Sequence, residues 1–249
     1  MEFYPIHFDK LSSTNDYSIE LLSKSNPIEG TVISTYNQQS GKGQIGREWF
    51  SDVNNNITCS VILRPHFLSV DKLFYLNIIL SLAIQNSLAK VTNKEFQIKW
   101  PNDIYFQNKK IAGLLINQFI QGTYVNASVF GFGINVNQIE FPSEIPNPTS
   151  LSIMENKQFD LEEIQYLVLN ELSNYYELLR NRAFIELKKK YLNSLYGRGE
   201  IHSFLHLEDN KSFDAEILGI DNFGRLALNS EGRVSNYELN QIKLILKTN

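Results

Sequence analysis

Five short segments of this chain carry residue types and spacings that could do chemistry. Ser13-Thr14-Asn15 offers a run of small polar side chains ahead of an apolar stretch. Residues 38–49, Gln-Gln-Ser-Gly-Lys-Gly-Gln-Ile-Gly-Arg-Glu-Trp, hold three of the 13 glycines within six positions. Glycine at that density frees backbone N–H groups to wrap a phosphate or carboxylate. Lys42 and Arg47 add positive charge, and Trp49 adds an apolar face. The segment lacks the Gly-Lys-Ser/Thr of a phosphate-binding P-loop, and Gly41-x-Gly43-x-x-Gly46 opens no clear helix, so it is not a dinucleotide fingerprint either. By itself it reads more readily as a flexible surface loop than as a ligand site.

The other three segments follow in order. In Lys99-Trp100-Pro101-Asn102-Asp103 a proline closes an apolar run and presents Asn102 and Asp103 at its end, which is also a good turn sequence. Lys109-Lys110-Ile111-Ala112-Gly113 puts a lysine pair at the mouth of a strand, where charge commonly guards an edge. Gly131-Phe132-Gly133-Ile134-Asn135 ends a strand with two glycines around an aromatic, the pattern of a β-bulge.

The elements that must hold these segments can be read from hydrophobic periodicity. A helix is expected to start at Ser13–Asp16, whose side chains are good N-caps. Residues 31–36 and 57–63 read as β-branched strands, and residues 71–90 as a helix. Short strands follow at residues 96–100, 104–106, 111–120 and 124–130. Their tight spacing predicts hairpins, hence a mixed or antiparallel sheet. Residues 141–148 hold three of the seven prolines and read as a loop. Helical periodicity returns at 161–180 and 183–195, with a break near Asn181. After Gly197-Arg198-Gly199 the period changes to two. Five short strands (201–207, 213–220, 225–228, 234–237 and 242–246) then predict a small barrel.

Composition narrows the classes. The chain has 249 residues, 43% hydrophobic and 20% charged, with a net charge of −4. That is globular, and neither disordered nor fibrous. From Arg198 onward lie 6 of the 23 basic and 8 of the 27 acidic residues, so no basic stripe points to nucleic acid. Cys59 is the only cysteine, which fits a reducing compartment. The N-terminal residues lack the apolar core of a signal peptide. Residues 73–89 carry no charge, but Asn77, Ser81 and Gln85 draw a polar stripe, so an amphipathic core helix is expected rather than a membrane span. His202-x-x-x-His206 has ligand spacing only on a helix and lies in a strand-like run, which argues against zinc. The triplets starting at Asn56 and Asn126 match a glycosylation pattern that is common by chance.

In this order and spacing the five segments resemble the biotin–protein ligases, in the monofunctional class without a DNA-binding module. The resemblance implies an α+β fold, a mixed or antiparallel sheet with flanking helices like that of class II aminoacyl-tRNA synthetases, over residues 1–197. An SH3-like β-barrel over residues 198–249 follows from it. It also implies that ATP, with Mg2+, converts biotin to biotinyl-5′-AMP, which then acylates one lysine of a biotin carboxyl carrier domain. The residues that match the biotin site are Ser13, Thr14, Asn15, Gln38, Gly41, Lys42, Gly43, Lys110 and Gly113. The ATP and adenylate site takes Lys42, Gln44, Arg47, Trp49, Asn102, Lys110, Gly131, Gly133 and Asn135. Lys110 and Asp103 match the catalytic pair, and no metal ligand is assigned. Gln44 stands where the family commonly has an arginine, so the intermediate is expected to be held less tightly. A cytoplasmic enzyme is implied, with no nucleic-acid or membrane partner, and a homodimer through an exposed sheet stays open.

Three other readings compete, and the first, a catalytically dead biotin-binding protein, is opposed by the match of Lys110 and Asp103 to the catalytic pair. A lipoate–protein ligase or acyl transferase shares the architecture but carries an Arg-Arg-x-Ser-Gly-Gly-Gly type loop that this chain lacks. A biotin-sensing repressor needs a helix-turn-helix ahead of residue 13, and no basic segment is found there.

Overall fold

The computed structural model describes residues 1–44 and 46–246. Ile45 of the glycine-rich loop and residues 247–249, the end of the expected second domain, lie outside the described residues. The strands run in chain order as Tyr4–Phe8 (β1), Thr31–Thr35 (β2), Gly41–Lys42 (β3), Glu48–Trp49 (β4), Asn56–Leu63 (β5), Gln97–Lys99 (β6), Asp103–Phe106 (β7), Lys109–Gln121 (β8) and Tyr124–Asn135 (β9). Five more close the chain: Ile201–His206 (β10), Ser212–Ile220 (β11), Leu226–Ser230 (β12), Arg233–Tyr237 (β13) and Ile242–Leu244 (β14). The helices are Thr14–Lys24 (α1), Phe74–Thr92 (α2), Leu151–Glu155 (α3), Leu161–Arg180 (α4) and Phe184–Asn193 (α5).

The main sheet has seven strands in the order β1-β2-β5-β9-β8-β7-β6. Only β1–β2 is parallel, so the expected mixed sheet built from hairpins is what forms. The period-two pattern of the central strands divides its faces. On β5, Ile57, Cys59, Val61 and Leu63 join the core, while Asn56, Thr58 and Ser60 point the other way. Phe130, Phe132 and Ile134 of β9, with Ala112 and Leu114 of β8, face the core too, leaving Gly131, Gly133, Asn135 and Gly113 on the polar face. Helix α2 covers the apolar face with α4 and α5, and α1 lies against β5 and β9.

Several expectations are corrected. The run of residues 71–90 splits into a 3-10 turn at Val70–Lys72 and α2. α2 is the expected core helix, and its Asn77–Ser81–Gln85 row turns toward packed neighbours. Ser81 is fully buried, Gln85 donates to the Phe96 carbonyl at 3.2 Å, and the helix is enclosed because both the sheet and α4 pack on it. The stretch Val70–Thr92 is long and apolar enough to cross a membrane (mean hydropathy 1.2), but it is the core helix of this fold. The bulge expected at Gly131–Gly133 does not form. Pairing through those residues is regular, and the register shift of the β8–β9 ladder falls at Phe119/Ile120. β1 has no counterpart in the sequence reading. It is a short, exposed edge strand containing Pro5, with little apolar alternation to mark it.

Ser13 caps α1 as expected, accepting from the Asp16 N–H at 3.2 Å. The break between α4 and α5 falls at Asn181–Ala183, where Arg182 adopts φ +58°. The C-terminal strands form one antiparallel sheet in the order β13-β12-β11-β10-β14. It curls strongly. Tyr237 of β13 lies 5.7 Å from His206 of β10, although three strand spacings in a flat sheet would be about 14 Å. His202 and His206 lie on β10, as the strand-like pattern predicts, and His206 stacks on Phe213. Phe204, Ile217, Leu226 and Ile242 extend the buried core of the main sheet into this second sheet.

Candidate active site

One transverse row of residues organises the polar face of the sheet. Thr35 pairs with Thr58, Thr58 with Gly133, Gly133 with Gly113, Gly113 with Asp103, and Asp103 with Lys99. Residues opposite one another across antiparallel strands share a face, so these side chains all rise from one side. The two glycines leave a trough between the threonines and the Asp103–Lys99 pair.

Trp49 lies in that trough. A Cβ on Gly113 would stand 2.9 Å from the indole Cζ3, and one on Gly133 would collide with the five-membered ring. The β3–β4 hairpin, which pairs Gly41 with Trp49, swings the indole over the sheet. Lys110 lies beside it, with Nζ 5.5 Å from the ring centroid and 2.6 Å from Asp103 Oδ1. The Asp103 side chain is held by its turn. Asn102 Nδ2 donates to the Leu114 carbonyl at 2.7 Å, and the Leu114 N–H returns a bond to the Asn102 carbonyl at 2.9 Å. The Trp100–Pro101 bond that leads into this turn is cis.

The far end of the trough is neutral and polar. The Thr14 N–H donates to Gln38 Oε1 at 2.9 Å, Thr14 Oγ1 donates to the same oxygen at 3.3 Å, and Ser60 Oγ donates to Thr14 Oγ1 at 2.9 Å. Asn15 Nδ2 donates to the Leu115 carbonyl at 3.5 Å and lies against Gly131. Lys42 leans out to Asp16 at 2.9 Å. Trp49 Nε1 and Gln44 Oε1 are buried without a partner among the described residues, so the site holds one donor and one acceptor unspent.

These groups surround a cavity of about 410 Å3. Ser13, Thr14, Asn15, Gln38, Lys42, Gly43, Gln44, Arg47, Trp49, Asn102, Asp103, Lys110, Gly113, Gly131 and Gly133 all line it. Two expected residues do not. Gly41 is closed off by the Trp49 carbonyl and Gln38, and Asn135 donates to the Thr149 carbonyl at 3.0 Å while its Oδ1 is buried and unpartnered. Among the described residues no group of three His, Cys, Asp or Glu could form a metal cage.

The sequence reading missed part of the wall. Lys99 lines the cavity with its ammonium 5.3 Å from the Tyr105 ring centroid. Burial draws its pKa below the ordinary lysine range, and the Asp103 carboxylate opposes that shift. The C-terminal sheet closes the cavity through Phe204, Leu239, Asn240, Ile242 and Lys243. A period of two marks β14 as a strand, but no local signal says which distant surface it will cover.

The family model "Biotin/lipoate A/B protein ligase family" matches residues 7–135. The chain is 31% identical over 226 residues to the Bifunctional ligase/repressor BirA of Bacillus subtilis, covering 90% of this chain and 68% of that protein. It is 30% identical over 171 residues to the biotin–[acetyl-CoA-carboxylase] ligase of Mycobacterium tuberculosis, covering 66% and 62%. The biotin protein ligase from Aquifex aeolicus, solved in complex with biotin and ATP, superposes with a TM-score of 0.81 at 27% identity, covering 98% of this chain and 99% of that one.

Proposed function

The chain belongs to the biotin/lipoate A/B protein ligase family, and from that premise we propose that it activates biotin as biotinyl-5′-AMP and transfers it to a lysine of a biotin carboxyl carrier domain. The observation that carries this reading is the Lys110–Asp103 pair, 2.6 Å apart, beside a trough that is neutral and polar at one end and cationic at the other. A neutral head group with a carboxylate tail fits that polarity.

Ser13, Thr14, Asn15 and Gln38 hold the ureido head, with the Lys42–Gly43 backbone and Gly113 around the bicycle and chain. A site built to bond a buried polar head discriminates by up to about 10⁴–10⁵ against analogues lacking it. Lys110 meets the carboxylate. Biotin's carboxylate oxygen attacks the α-phosphorus, the bond from that phosphorus to the bridging oxygen of the β-phosphate breaks, and diphosphate leaves. Two anions must approach for this to happen. A cation at about 4 Å and an effective dielectric near 20 offsets roughly 4 kcal/mol of that repulsion.

Asp103 then orients the incoming lysine amine and accepts its proton as the amine displaces AMP. Lys42, Gln44, Arg47, Trp49, Asn102, Gly131 and Gly133 form the nucleotide side of the site. Mg2+ would enter with ATP and would neutralise phosphate charge as the α-phosphorus is attacked. Residues 1–197 form the catalytic domain and 198–249 an SH3-like barrel. A biotin-dependent carboxylase supplies the acceptor, and the enzyme is cytoplasmic.

The test is intact-mass measurement after incubation with biotin, MgATP and a carrier domain. One biotinyl increment, lost in Lys110→Ala, is expected. An increment with lipoate instead of biotin would favour the lipoate-ligase reading, and none with either acid would refute both.

A further inference from the structure

The neutral end of the trough is made of groups that could each face either way. A threonine hydroxyl both donates and accepts, and a glutamine amide offers an oxygen or an NH2 group according to its flip. What that end presents to a ligand is decided by whatever fixes them.

The Thr14 N–H fixes the Gln38 amide, because a backbone donor at 2.9 Å needs Oε1 opposite it. With the Thr14 hydroxyl donating to the same oxygen at 3.3 Å, both lone pairs of Oε1 are taken. Gln38 Nε2 makes no hydrogen bond among the described residues and lies 2.6 Å from where a Cβ on Gly41 would stand. The Thr14 hydroxyl is fixed from behind the wall. Ser60 lies opposite Gly131 on the polar face of the sheet, beneath the start of α1. It is fully buried and does not line the cavity. Its hydroxyl donates to Thr14 Oγ1 at 2.9 Å, and its side chain makes no other hydrogen bond among the described residues. Next along the helix, the Asn15 amide takes the volume that Gly131 leaves empty.

We propose that Ser60 is a positioning residue that sets the hydrogen-bond polarity of the biotin head-group site through Thr14. This rests on the biotin reading of the site. Ser60 has to spend its proton on Thr14, since a buried hydroxyl without an acceptor is costly. Thr14 must then turn its own proton to Gln38, which leaves one of its lone pairs free. The cavity therefore meets an acceptor at Thr14 and N–H donors at Gln38. A cyclic urea offers the complement, an N–H beside a carbonyl oxygen. Without Ser60 the Thr14 hydroxyl is free to rotate, and the preference for that head weakens.

Calorimetric titration of the full chain with biotin, without nucleotide, is the measurement. Ser60→Ala should weaken binding about fivefold to tenfold, with the KM for ATP and kcat at saturating biotin within about twofold of the parent. In a Thr14→Val background the same substitution should change biotin affinity by less than about twofold, because no hydroxyl remains for Ser60 to orient. Iminobiotin, whose head carries an N–H-bearing nitrogen in place of the carbonyl oxygen, is the second probe. The preference for biotin over it should narrow about threefold or more in Ser60→Ala. Should Thr14→Val bind too weakly to titrate, that preference decides. A biotin affinity within twofold of the parent in Ser60→Ala would overturn the proposal. So would an equal loss in both backgrounds, or equal weakening toward both ligands, either of which marks a merely structural serine. A parent chain that binds no biotin would instead refute the biotin reading, and this proposal with it.

Discussion

Gly113 and Gly133 are neighbours across the β8–β9 ladder, and the indole of Trp49 needs the volume both leave empty. A methyl group on Gly133 would enter the indole ring, so Gly133→Ala must displace Trp49 from the trough. Overpacking of this kind typically costs about 1–3 kcal/mol. The loss is expected to fall on the site more than on the fold. kcat/KM for ATP should drop at least tenfold with a shifted tryptophan emission, while the thermal transition stays cooperative. Steady-state kinetics and fluorescence on the purified variant check this. The glycine spacing was visible in the sequence, but its meaning was not. Read locally, Gly131 and Gly133 around Phe132 suggest a bulge; only the tertiary structure reveals that Gly133, with Gly113, clears space for Trp49 from far earlier in the chain, while Gly131 lies against Asn15. Lys99 was equally visible and equally mute, since exposure and counter-ions are not local properties.

At the scale of elements, the β11–β12 turn shows how a short segment is made rigid enough to abut the catalytic part. Asp221 accepts from the Phe223 and Arg225 N–H groups at 2.8 and 3.0 Å and pairs with the Arg225 guanidinium at 2.7 Å. Burial works against its charge, but the Arg225 hydrogen bond and the two backbone donors outweigh it and hold the carboxyl below its ordinary range. A lowered folded-state pKa means that the stabilisation is full above the unfolded value near 3.8 and is lost as pH falls through the folded value. Asp221→Asn should therefore cost about 1.5–3 kcal/mol at neutral pH. The gap between variant and parent should close as pH drops below about 4. Urea denaturation at pH 7 and pH 3 measures both. Element types were largely legible because periodicity is local: α1, α4, α5 and most strands lie within a few residues of where the pattern put them. β1 was missed because a five-residue edge strand with a proline has almost no pattern, whereas α2 was legible as a core helix, and its polar residues are satisfied or hidden by neighbours far away in sequence.

For the whole molecule, the decisive contacts join the catalytic sheet to the C-terminal one. The Trp100 indole N–H donates to the Gly224 carbonyl at 2.8 Å, and the Arg198 guanidinium spans the Leu218 and Leu192 carbonyls at 3.2 and 3.4 Å. Gly224, at φ +84°, packs directly against Phe74, which leaves no room for a side chain there. Trp100→Phe keeps an aromatic ring but removes the donor and some ring volume, and should lower stability by about 1 kcal/mol or more with the denaturant m-value unchanged. Equilibrium unfolding in urea tests this; an m-value that falls would mean instead that the two sheets unfold separately.

Sequence alone determined the composition class, the types and order of the longer helices and strands, and the five segments whose spacing carries the family's chemistry. Those properties depend on residue type and on neighbours a few positions away. Tertiary structure decided which face of each strand looks into the cavity, that Trp49 rests on two glycines, and that Lys99 and Lys243 come to one wall. Pairing register and sheet-to-sheet packing bring together residues far apart in the chain, and no local pattern encodes such meetings.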